Sequence, residues 1–125
     1  LAHAVLEGIC YEMYDILLMQ EAFAKPVKTV RLSGGVTKSP MWCQMFADIM
    51  NKPIELTESP EAGALGAAMY AGVGVGVYKD CIDAAKKCIR IKQCYTPIAE
   101  NVAIYNEAFT RWNRAFDALN GTFYK

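Results

Sequence analysis

The stretch from Val30 to Met50, VRLSGGVTKSPMWCQMFADIM, restricts the fold more than any other part of the chain. A short apolar run stops at Ser33-Gly34-Gly35, a small polar segment follows, and Ser39-Pro40 opens a run with helical spacing. Ser39 carries the hydroxyl that a helix N-cap uses to accept from an orphan amide. Pro40 suits the first helical position, where its missing N–H would have no partner anyway. Trp42, Met45, Phe46 and Ile49 then recur every three or four residues and give the helix one apolar face. Strand, glycine turn and helix in that order make one unit of an α/β domain.

The flanks extend the alternation. Leu1 to Phe23 has a helical stripe through Val5, Ile9, Met13 and Ile16, and Pro26 helps to end it. Val27 to Leu32 reads as a strand, Asn51-Lys52-Pro53 as a turn, and Ile54 to Thr57 as a second short strand. Ser59-Pro60-Glu61 repeats the cap-and-proline start ahead of EAGALGAAMYAG. Two glycines inside that helix cost about 1 kcal/mol each relative to alanine, so a closely approaching neighbour backbone is expected. The following GVGVGVY, Gly72 to Tyr78, reads as a helix end and turn. It does not follow a strand, and it lacks the spacing of the G-x-G-x-x-G phosphate loop. Asp80, helped by Asp83, caps a short helix from Cys81 to Cys88. Arg90 to Thr96 reads as extended. The last helix runs from about Ala99 to Leu119 and stops at Asn120-Gly121. Its stripe of Val102, Tyr105, Phe109, Trp112, Phe116 and Leu119 is expected to pack in the core.

With 125 residues the chain is sized for one domain. Its net charge of zero gives no electrostatic footprint for nucleic acid or an anionic membrane. No run of 18 apolar residues suggests a membrane span. The start lacks the basic segment and cleavage site of a signal peptide. It also lacks an initiator methionine and begins inside a helical pattern, so the chain is expected to be part of a longer one. Its five cysteines are odd in number and show no C-x-x-C spacing, which points to free thiols in a reducing cytoplasm.

No catalytic set assembles from these residues. His3 is the single histidine, so neither Ser/His nor Cys/His catalysis has a base, and metal-ligand spacing is absent. Asp48, Glu58, Glu61 and Asp80 read as caps or solvated helix faces. The one candidate binding element is the Gly34-Gly35 turn, because ligands of α/β domains sit beyond the carboxyl ends of the strands. Missing Cβ atoms let backbone amides face a phosphate or ribose, and the helix start at Pro40 adds positive potential. The residues alone leave two readings open, a tight turn or a nucleotide contact.

Taken together and in order, LAHAVLEGICYEM, RLSGGVTKSPMWCQMFADIMNKPIEL, ESPEAGALGAAMYAGVGVGVY and YTPIAENVAIYNEAFTRW resemble the C-terminal domain of the FGGY-type carbohydrate kinases over essentially the whole chain. The GG-x-x-KS-x-x-W-x-Q-M-x-AD and GALGAA segments resemble the xylulose kinases in particular. The resemblance implies part of an actin-like ATPase (ribonuclease H-like) domain, a short sheet flanked by helices, with residues 1–125 forming a nucleotide-side fragment. It implies ATP with Mg2+ as cofactor and a sugar, xylulose first, as substrate. Gly34 and Gly35 would form the adenosine-side turn, Ser39 would fall at an adenine contact, and Lys38 would line the same edge. The GALGAA helix would lie near an interdomain hinge. The D-x-G-T phosphate loop, a second glycine-rich phosphate loop, the sugar site and the catalytic aspartate would all lie outside these residues. His3 stands where such kinases commonly carry arginine in RA-x-x-EG. The expected partners are the sugar, met through an N-terminal domain, and a second copy in a homodimer, with neither nucleic acid nor membrane. The alternative reading is a non-catalytic domain that binds a nucleotide or another protein.

Overall fold

The computed structural model describes residues 1–59 and 61–123. In chain order these form α1 (Ala2–Phe23), β1 (Val30–Leu32), a 3-10 turn (Gly35–Lys38), α2 (Pro40–Met50), β2 (Ile54–Thr57), α3 (Ala62–Gly74), α4 (Cys81–Cys88), β3 (Ile91–Tyr95) and α5 (Ala99–Phe123). The sheet order is β1-β2-β3. β1 and β2 run parallel, with Val30 opposite Ile54 and Leu32 opposite Leu56. Parallel neighbours need a crossover, and α2 supplies it. β3, read from sequence only as extended, pairs antiparallel with β2.

Alternation along the strands decides where the core lies. Ile54 and Leu56 are buried beneath α2, while Arg31 and Glu55 turn to the other face and pair at 2.9 Å. α2 buries Cys43, Met45, Phe46, Ala47, Ile49 and Met50 around these strands, and Cys10 and Tyr11 of α1 close the cluster. Tyr11 meets Tyr105, Phe109 and Trp112 of α5 with ring centroids 5.9–6.5 Å apart. The aromatic stripe of α5 is thus core in its first half only. Phe116 and Leu119 are half exposed, and the helix continues through Asn120-Gly121 to Phe123.

Asp48, expected on a solvated face, is 2% exposed. Its Oδ1 accepts from the Ile98 amide and from Gln44 Nε2, both at 2.8 Å, and its Oδ2 accepts from Asn101 Nδ2 at 2.8 Å. Gln44 Nε2 also donates to the Thr96 carbonyl at 2.9 Å. A buried carboxylate is tolerated only when its lone pairs are satisfied, and here they hold the start of α5 against α2. A second polar tie joins the other end of the core. Glu21 accepts from Lys52 Nζ at 3.0 Å and from the Val27 amide at 2.7 Å. The Lys52 ammonium, with that amide, holds the Glu21 carboxyl below the usual range.

α3 and α4 form a separate pair beside the sheet. The Asp80 cap stands as expected, with its carboxylate accepting from the Asp83 amide at 2.8 Å. The start of α3 differs from expectation: its N-cap is Glu61, which makes no side-chain bond, and Pro60 lies outside the described residues. None of its residues is buried, and a Cβ added at Gly63 or Gly66 would meet nothing within 4 Å. The backbone expected to approach these glycines is therefore not supplied by the described residues. At Gly72 the constraint is real, since a Cβ would lie 2.6 Å from the Tyr78 ring. The segment from Gly72 to Tyr78 is the helix end and turn that its sequence suggests, with the Val77 and Tyr78 amides both donating to the Gly72 carbonyl.

Candidate functional site

The two glycines after β1 have different jobs. Gly34 adopts φ 82°, ψ −157°, a region that side chains avoid, so the chain can turn there only through glycine. Gly35 has no positive φ, and a Cβ built on it meets nothing within 4 Å. The fold itself does not demand glycine at position 35. What a side chain there would obstruct is the space in front of the turn.

The turn is closed from within. The Thr37 amide and hydroxyl both donate to the Gly34 carbonyl, at 3.2 and 2.7 Å, and the Ser39 amide donates to Val36 O at 3.1 Å. Ser39 Oγ then accepts from the Trp42 amide at 3.3 Å, so the predicted N-cap is in place. Its hydroxyl, half buried, is committed first to the helix. The amides of Gly35 and Val36 have no acceptor among the described residues and are the donors left over. Lys38 ends the 3-10 turn, exposed. The structure thus brings Gly35, Lys38 and Ser39 to the carboxyl end of β1, next to its parallel neighbour β2.

Lys38 and Thr37 also form one wall of a cavity of about 310 Å3, closed by Leu56, Thr57 and Glu58 at the end of β2 and by Lys92 and Gln93 of β3. Sequence reasoning left Thr57, Lys92 and Gln93 out of the site and took Glu58 as a solvated acid. Only the position of Glu58, just past a strand that follows the glycine turn, could have marked it. A larger groove of about 460 Å3 runs between α1 and β1–α2, lined mainly by apolar side chains such as Met13, Ile16, Leu32 and Phe46. His3 lies elsewhere on α1, with Nε2 3.3 Å from Glu7 Oε1 one turn along. Among the described residues, no group of three His, Cys, Asp or Glu side chains could hold a metal ion, and no helix is long and apolar enough to cross a membrane.

Residues 1–75 match the model of the FGGY family of carbohydrate kinases, C-terminal domain. A ribulokinase of Mycolicibacterium smegmatis is 33% identical over 90% of this chain and 22% of its own length. The xylulose kinase of Bacillus subtilis is 32% identical over 90% of this chain and 23% of its own length. The ligand-bound crystal structure of xylulose kinase from Lactobacillus acidophilus superposes with a TM-score of 0.89 at 26% identity, covering 98% of this chain and 25% of that one. The chain therefore spans about a quarter of the length of its relatives and shares their actin-like ATPase fold. With the family model matched over more than half of its residues, this chain belongs to the FGGY family of carbohydrate kinases.

Proposed function

We propose that this chain forms the adenosine side of the nucleotide site in a longer ATP-dependent sugar kinase, as a C-terminal domain fragment of that enzyme. The observation that carries the reading is the contrast between the glycines: Gly34 is required by its backbone, whereas Gly35 leaves open space that the fold does not need. The unused amides of Gly35 and Val36 and the Lys38 ammonium give that space donors suited to a nucleotide. Ser39, beside them, keeps oxygen lone-pair capacity for an adenine contact after capping α2. Xylulose is the first substrate to test, given the xylulose kinases among the similar proteins. Transfer of a phosphoryl group would need a base for the sugar hydroxyl and ligands for Mg2+, and we assign both to residues beyond these 125 and to the phosphates themselves. The sugar would bind through an N-terminal domain. The apolar groove along α1 fits packing against the remainder of such an enzyme or against a second copy, in a cytoplasmic protein. The exposed small residues of α3, Ala64, Ala67 and Ala71 among them, fit a helix that other parts of the enzyme slide against as the cleft closes.

The test is Gly35→Val in the full-length enzyme. The expected result is a KM for ATP raised ~10-fold or more with the sugar KM unchanged, since a branched side chain would occupy the approach to the turn. Unchanged constants for both substrates would reduce Gly35 to a turn residue and remove it from the nucleotide site.

A further inference from the structure

α3 and α4 are tied to each other and hardly to anything else. Among the described residues, every hydrogen bond and ion pair made by residues 61–89 ends within 61–89. α3 buries none of its residues, and α4 buries only Ala84. Inside the hairpin the ties are dense. The Tyr78 ring packs so closely on Gly72 of α3 that a Cβ there would lie 2.6 Å from it, and the Tyr78 hydroxyl accepts from Cys88 Sγ of α4 at 3.2 Å. Lys87 sets its ammonium 5.8 Å from the centroid of the same ring and pairs with Asp83 at 2.9 Å. Tyr78 thus staples the end of α3 to the end of α4. Elements bonded to one another and not to their surroundings open as one cooperative unit.

The hairpin leaves and rejoins the sheet at one neck. The Glu58 amide donates to the Arg90 carbonyl at 2.9 Å, so the outgoing and returning chain are held side by side. Next to the neck the ladder is irregular. Leu56 pairs with Gln93, but Thr57 pairs with Ile91, so Lys92 is skipped. An extra residue bends its strand and disrupts the ladder locally, which suits a hinge. Beyond the neck α4 stands off the sheet. A cavity of about 360 Å3 separates Ile82 and Ile89 of α4 from Ile91 of β3 and Arg31 of β1, with Cys81 and Lys86 also on its α4 side. Ile82 is 68% and Ile91 41% exposed, and contact between the two walls would remove that apolar area from water. Of the charged groups, Arg31 is already paired with Glu55, and the long stem of Lys86 lets its ammonium stay at the rim.

We propose that α3 and α4 are one rigid flap, hinged at the Glu58–Arg90 neck, which closes by seating Ile82 and Ile89 on Ile91 when substrates bind. Thr57 and Glu58, at the neck, also wall the cavity beside the glycine turn. A ligand that contacts them more favourably in one flap position draws the flap to that position. The trigger rests on the nucleotide reading above, whereas the flap rests on its own bonds.

The experiment uses the full-length enzyme. In native-state hydrogen exchange across a denaturant series, the amides of α3 and α4 should share one opening, at a lower denaturant concentration than those of α2 and β2. Separate openings of α3 and α4 would overturn the single flap. Cys81 lines the gap and reports its closure. Mg-ATP with xylulose should slow iodoacetamide labelling of Cys81 by ~5-fold or more, while Cys94, exposed and outside the gap, keeps its rate. Ile82→Glu puts a carboxylate where closure must exclude water. That variant should lose the protection of Cys81 and ~10-fold in kcat, with native thermal unfolding because Ile82 is exposed. Protection retained in Ile82→Glu would show that the gap is not the seat. If Gly35→Val raises the KM for ATP while substrates leave Cys81 labelling unchanged in the native enzyme, the flap is wrong and the nucleotide turn stands. If Gly35→Val leaves ATP unaffected and Cys81 is still protected, the flap stands and the nucleotide turn falls.

Discussion

α2 and α3 are both apolar helices that follow a strand and a Ser-Pro pair, yet they end in opposite environments. α2 buries six apolar side chains and one aspartate, and α3 buries none. The difference lies in spacing and size. α2 concentrates Cys43, Phe46, Ile49 and Met50 along one face, whereas α3 spreads small residues all around. Apolar content alone therefore does not locate a core. A stripe of large side chains does, and a helix of small ones presents a smooth surface that the described residues leave uncovered.

Four outcomes would break or sharpen this contrast in the full-length enzyme. The largest concerns α2 itself: Ile49→Ala should cost about 3 kcal/mol, read as lost hydrogen-exchange protection in α2 and β2. A loss below about 1 kcal/mol would mean that α2 is not the centre of packing. Next comes the turn that aims α2. Gly34→Ala should cost about 1–3 kcal/mol by forcing a side chain into its φ of 82°, while Gly35→Ala should stay within about 0.5 kcal/mol of native. Equal costs at the two positions would erase the division of labour between them. For α3 the effect should be kinetic. Ala67→Leu should leave thermal unfolding nearly unchanged and lower kcat by ~10-fold, equivalent to about 1.4 kcal/mol in the barrier, if other parts of the enzyme slide on that surface during closure. Native kcat would leave the small residues without that role. The mildest test is thiol labelling at pH 8. Cys81, exposed at the start of α4, should react, and Cys43 of α2 should not, because burial raises its pKa. Cys10, pushed up to about 12 by burial, should stay protected alongside it. Labelling of Cys43 at the rate of Cys81 would show α2 opening to solvent.

What was legible in the sequence was local. Ser39-Pro40 and Asp80 with Asp83 announce helix starts because a cap and its partner amide lie three residues apart. The strand–turn–helix unit follows from the same short-range logic. The partners of Asp48 were not legible, since Ile98 and Asn101 lie 50 and 53 residues away and no spacing rule reaches that far. Lys92 could not be singled out either, because a skipped residue exists only relative to the strand beside it. The Gly34-Gly35 pair shows the limit most plainly. Two identical letters differ in what the backbone asks of them, since Gly34 sits at a φ of 82° and Gly35 faces open space with no such demand, and only coordinates separate them.

The Asp48 clasp has a consequence for how the chain tolerates change in length. By joining α2 to the start of α5 it closes a loop that contains β2, α3, α4 and β3. The entropy of closing a flexible loop grows only with the logarithm of its length, about 0.6 kcal/mol for each doubling. Residues added in the exposed turn between α3 and α4, near Lys79, would lengthen that loop by a small fraction and leave the clasp intact. The same addition inside α2, between Ser39 and Asp48, would rotate the carboxylate away from α5 by about 100° per residue. Insertions and deletions among homologous chains should therefore collect on the α3–α4 side and avoid α2.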